Sequence, residues 1–185
     1  MRRTFDQAVP GLERNLMHIY VIRHAEAQPL GQKNAFSDEK RSLTSEGRDR
    51  MRDGARGLGA LGVEPDLIMT SPLARALETA EIVAAALGVN KKETVQTDNL
   101  KPGASADELF SEIKKCSGVE ALALVGHEPD LSGIISKILQ GPGRIPVDLK
   151  KGSACCLNVT ETVPTLRGSL VWLLTLKHLR MLGKA

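Results

Sequence analysis

The order of its short apolar runs constrains this chain most. Met17-His-Ile-Tyr-Val-Ile22, Asp66-Leu-Ile-Met-Thr70 and Glu120-Ala-Leu-Ala-Leu-Val-Gly126 are too short for core helices, and they read as buried strands. Thr94 to Thr97 reads as a further, minor strand. Segments of helical period separate them. From Thr44, Met51, Ala55, Leu58 and Leu61 share one face, and Gly54, Gly57 and Gly59 either weaken that helix or allow close packing. Ser71-Pro72 supplies an N-cap and a proline at the first helical position, and the helix it opens runs to Gly88. Ser105-Ala-Asp-Glu108 has the capping-box pattern. Pro129 opens a helix with Leu131, Ile134, Ile135 and Ile138 on its apolar face. Ala154 to Val159 and Ser169 to Leu176 read as two late strands, adjacent and antiparallel, followed by an amphipathic tail, His178 to Leu182. Such alternation predicts a three-layer α/β/α sandwich with a mostly parallel central sheet and a late antiparallel strand.

With 185 residues, the chain has the length of one domain. At 42% apolar and 25% charged residues it is not globally disordered. The longest apolar run, Ile82 to Leu87, cannot span a bilayer. A net charge of +3, with no aromatic-studded basic stripe, does not point to nucleic acid. Cys116, Cys155 and Cys156 form no disulfide framework and no zinc motif, and read as small buried hydrophobes. Met1 to Leu16 is charged and has no apolar core of a signal peptide, so a cytoplasmic protein is expected. Residues 1–16 are expected to be an appended disordered arm, or an early start, before one domain over 17–185.

In open α/β sheets ligands bind beyond the carboxyl ends of the strands. Arg23-His24-Ala25-Glu26 follows the first strand, Ser71-Pro72 with Arg75 a turn later follows the second, and Gly126-His127-Glu128 follows the strand ending at Val125. Two arginines and two histidines thus meet at one edge. Arginine offers phosphate a planar fork of donors that stays charged. Nearby guanidinium charge depresses a histidine pKa and keeps the imidazole neutral and nucleophilic at pH 7. His18, inside a strand, and His178, in the tail, have packed or solvated roles instead. Lys33, Lys40 and Arg41 flank the long loop 27–43 and either steer an acidic partner or are solvated.

Ile22-Arg23-His24-Ala25-Glu26-Ala27 resembles the Arg-His-Gly signature of the histidine phosphatase (phosphoglycerate-mutase-like) superfamily, with Ala25 where glycine is usual. Leu43-Thr44-Ser45-Glu46-Gly47, Thr70-Ser71-Pro72-Leu73-Ala74-Arg75 and Leu124-Val125-Gly126-His127 resemble its later motifs, in order. Within it the chain is similar to the SixA-type phosphohistidine phosphatases: it lacks a large inserted cap, and Leu149-Lys150-Lys151-Gly152-Ser153 resembles their ending. The resemblance implies that His24 is the nucleophile, that Arg23 and Arg75 bind phosphate, and that His127 contacts a phosphate oxygen.

Asn99-Leu100-Lys101-Pro102-Gly103 stands where mutase-type members carry a leucine followed by an acid. Alkoxide leaving groups need a positioned proton donor, whereas a protonated imidazole leaves phosphorus readily. The departure favours a phosphohistidine protein as substrate. Glu26 and Asp98 remain the candidate acids. Small phosphate monoesters are the alternative substrates, and a phosphate-binding module without turnover is the reading from another class. His24-x-Glu26 also occurs in zinc deaminases, but their Pro-Cys-x-x-Cys is absent. Neither a cofactor nor a metal is expected, and no membrane or nucleic-acid partner.

Overall fold

The computed structural model describes residues 17–31, 37–139, 145–161 and 166–184. The N-terminal arm expected over residues 1–16 and Lys33 lie outside them. Strand β1 (Met17–Arg23) sits inside a six-stranded sheet that also holds β2 (Leu67–Thr70), β3 (Thr94–Gln96), β4 (Ala121–Gly126), β5 (Ala154–Glu161) and β6 (Arg167–Leu174), in the order β3-β2-β4-β1-β5-β6. β1 to β4 run parallel, β5 pairs antiparallel with β1, and β6 antiparallel with β5. The late strands are therefore adjacent and antiparallel, as the sequence implies.

Alternating side chains give the sheet two apolar faces. Tyr20 and Ile22 point into a core built with helices α1 (Ser45–Ala60), α2 (Ala74–Leu87) and α5 (Leu176–Leu182). Ile19 and Val21 point into a second core with α3 (Ala106–Ile113) and α4 (Asp130–Leu139). Helices on both faces make the three-layer sandwich expected from the alternation. Among the described residues no helix is long and apolar enough to cross a membrane.

Local chemistry differs from expectation at the starts of two helices and at Cys116. Ser71 does not cap α2: the cap position is Leu73, and the Ser71 hydroxyl is drawn toward His127. Ser105 occupies the N-cap of α3 but its side chain makes no capping bond, while Asp107, in the first turn, binds Lys137 across to α4. The glycines of α1 serve close packing: a Cβ at Gly57 would stand 1.9 Å from the carbonyl oxygen of Leu179 on α5. Cys155 and Cys156 are buried as expected, but Cys116 is only half-buried, its thiol directed at the Glu112 carbonyl.

Candidate active site

Three neighbouring strands, β2, β4 and β1, deliver their carboxyl ends to the same edge. Arg23 is the last residue of β1, and the His24 amide donates to the Gly126 carbonyl at the end of β4 (3.1 Å). On the other side the turn after Leu149 wraps the same segment. The Gly152 amide donates to the carbonyls of both Arg23 and His24 at 3.1 Å, and Nη1 of Arg23 donates to the Leu149 carbonyl at 2.9 Å. Gly152 has φ +70°, a conformation that glycine adopts without a Cβ penalty. α2 fixes the third side. Its Thr79 hydroxyl accepts from the Ala25 amide (3.1 Å) and donates to the Arg75 carbonyl one turn back (2.7 Å).

His24 and His127 are buried, with ring centroids 5.1 Å apart. Nδ1 of His24 lies 2.7 Å from the Ala25 carbonyl, which can only accept, so Nδ1 carries the proton. Nε2 is then left with a free lone pair. Nε2 of His127 pairs with the Ser71 hydroxyl at 2.9 Å. Burial lowers the His24 pKa from 6.5 to about 4 against the opposing bond to Ala25, with smaller lowering contributions from Arg75, Arg23 and Lys151. Burial likewise lowers His127 to about 3, helped by Arg75. The sequence points to guanidinium charge as the cause of a neutral imidazole; desolvation is the larger one.

Arg75 is 5% exposed and holds a partner the sequence did not flag. Its Nη1 donates to the Asp38 carbonyl (2.7 Å) and its Nη2 to the Asp38 carboxylate (2.9 Å), which Arg41 also binds at 2.8 Å. Burial pushes the Asp38 pKa up, but the bonds from Arg41 and Arg75 outweigh it and hold the carboxyl below its ordinary value.

The two candidate acids are placed differently. The half-exposed Glu26 carboxylate lies 4.0 Å from both Arg50 and Lys151, in a groove that Arg23 also lines. Asp98 pairs with Lys101 at 2.8 Å and lines a separate surface groove with Glu112. Its neighbour Asn99, not Asp98, shares a pocket of about 370 Å³ with His127. Arg23, His24, Arg75 and His127 are thus brought together, and Asp98 is not. Among the described residues no group of three or more His, Cys, Asp or Glu side chains could hold a metal ion.

The sequence model of the Histidine phosphatase superfamily (branch 1) matches residues 19–116, which span β1, both motifs that follow it and the Arg75 helix. The chain belongs to this superfamily. Proteins with which it shares sequence or fold include three instructive cases. An uncharacterised protein of Picosynechococcus is 34% identical over 73% of this chain and 81% of that protein. The mitochondrial serine/threonine-protein phosphatase Pgam5 of Drosophila ananassae is 32% identical, but the match takes in 47% of this chain and only 29% of Pgam5. Among solved structures, the protein histidine phosphatase SixA complexed with tungstate has the same fold, with a TM-score of 0.77, 23% identity and coverage of 88% of this chain and 99% of that one. As a member of the superfamily, the chain is a phosphatase with a catalytic histidine.

Proposed function

We propose that this histidine phosphatase hydrolyses phosphohistidine on a protein, by way of a covalent phosphohistidine on His24. Nε2 of His24 carries the lone pair that attacks phosphorus. The P–N bond to the substrate imidazole breaks as the bond to His24 forms, and the departing ring, protonated by solvent, leaves neutral. Water then attacks the phosphoenzyme, the His24 P–N bond breaks, and inorganic phosphate is released. Arg23 and Arg75 offset the charge on the equatorial oxygens, and His127 contacts one of them.

The observation that carries the choice of substrate is the state of Asp38. It is the one carboxylate hydrogen-bonded to any of the four residues among those described, and two guanidinium groups hold it ionised. An ionised carboxylate donates no proton, so the site suits a leaving group that needs little help, as a protonated imidazole does. The fold shared with a protein histidine phosphatase supports the same substrate class. A second reading, hydrolysis of phosphate monoesters, rests on Glu26, whose carboxylate lines the groove at Arg23 and could protonate an alkoxide.

Turnover of a phosphohistidine-bearing protein, set beside a panel of phosphoserine, phosphothreonine and sugar-phosphate monoesters, separates the two. A kcat/KM at least about 10²-fold higher for phosphohistidine is expected, the scale of one missing general acid. Glu26→Gln should leave phosphohistidine turnover almost unchanged. Faster turnover of a monoester, lost in Glu26→Gln, would support the second reading instead.

A further inference from the structure

Beside the phosphate-binding quartet lies a groove of about 550 Å³ whose lining is lopsided in charge. Arg23, Arg50, Lys150, Lys151, Lys177 and Arg180 line it, against the single carboxylate of Glu26. Its cations come from four separate places: the end of β1, α1, the turn after Leu149, and α5. Some are already paired: Arg50 bonds Glu46 on its own helix, and Arg180 lies 3.4 Å from Asp53. The rest are held loosely: Glu26 is 4.0 Å from both Arg50 and Lys151, Lys150 is 3.7 Å from Asp148, and no ion pair engages Lys177 among the described residues. Side-chain exposures of 44% for Arg50, 47% for Lys151 and 67% for Lys150 leave these charges open to a ligand.

The groove is continuous with the site. Arg23 belongs to both, and Gly152, next to Lys151, holds the carbonyls of Arg23 and His24. A cleft lined by one sign of charge focuses potential and raises the local concentration of the opposite sign. Neither the phosphate nor its transfer uses Arg50, Lys150 or Lys177. These charges sit on different elements, α1, the turn after Leu149 and α5, so a ligand with several negative charges, such as a run of carboxylates, can engage them together. We propose that the groove docks an acidic stretch of polypeptide on the phosphorylated protein, so that the substrate is an acidic phosphoprotein. This deepens the phosphohistidine-protein reading and rests on it.

The test uses the full chain with Arg50, Lys150 and Lys177 all changed to Gln, leaving Lys151, which lies close to His24, in place. Poly-L-glutamate serves as an inhibitor of p-nitrophenyl phosphate hydrolysis. The variant should keep the kcat and KM for p-nitrophenyl phosphate, which also reports that it folds, while the inhibition constant of poly-L-glutamate rises about tenfold, roughly a factor of two for each exposed charge lost. For an acidic phosphohistidine protein, KM should rise by a similar factor at unchanged kcat. An unchanged inhibition constant would overturn the proposal. If the triple variant fails to fold, the wild type decides: inhibition should weaken steeply as salt rises from about 0.01 to about 0.15 M and the Debye length falls from about 30 to about 8 Å. Salt-insensitive inhibition would overturn it equally. Should the wild type bind poly-L-glutamate in this way yet turn over no phosphohistidine protein, the substrate reading fails and the groove stands.

Discussion

At the scale of single residues, the chemistry depends on a histidine kept neutral in a setting rich in positive charge. Desolvation does most of this, because a buried imidazolium loses its hydration, and the guanidinium groups add to it. The direction sets a pH profile. His24 binds its proton only near pH 4, so the acid limb of kcat/KM should fall near 4, after correction for substrate ionisation, rather than near the ordinary 6.5. An acid limb near 6.5 would mean that the reacting histidine is solvated. Stability follows the same sign. The unfolded chain takes up protons at His24 and His127 near 6.5 while the folded one does so only near 4 and 3, so both histidines erode stability as pH falls through that window. Much of this site was legible in the sequence, since Arg23, His24 and His127 each directly follow a strand-like run and Arg75 lies one turn into a helix. Thr79 could have been found too, four residues beyond Arg75 on the same helix face. Asp38 could not. It lies in a loop without periodicity and meets Arg75 across 37 residues of sequence, a contact that only the fold creates.

At the scale of elements, the packing of α5 on α1 explains why a helix would carry several glycines. Gly57 lets the backbone of Leu179 approach so closely that any side chain there must push the two helices apart. Gly57→Ala should therefore destabilise the protein by about 1–3 kcal/mol, despite the better helix propensity of alanine. Gly59, two residues on, is exposed, and a Cβ there would meet only Leu87 at an ordinary 3.5 Å. Gly59→Ala should be neutral or stabilising by up to about 1 kcal/mol. Thermal unfolding of both variants checks the pair; equal effects would contradict the close-packing account. The glycines announced that α1 is unusual, but the partner that needs them comes from the far end of the chain. Helix starts were less legible than helix bodies, because Ser71 and the first turn of α3 spend their polar groups on tertiary partners rather than on caps.

At the scale of the whole molecule, the sheet order does the assembling. β4 enters between β1 and β2, so His127 arrives between the segments that carry His24 and Ser71. Nothing local in the sequence states that order; the α/β alternation and the position of each motif after a strand implied only a shared edge. The turn at Gly152, reached after β4 and α4, then closes over Arg23 and His24 from the other side. It is the resemblance to the superfamily's Arg-His signature that assigns the nucleophile to His24, and the proposed mechanism rests on that assignment. The most direct measurement is therefore labelling with a ³²P-phosphorylated substrate, rapid quench in alkali and mapping of the modified residue. Label is expected on His24, stable in alkali and lost in acid as for a phosphoramidate, and His24→Ala should abolish both the label and turnover. Label on Ser71, on His127 or on a cysteine, or turnover with no labelled enzyme at all, would contradict the mechanism.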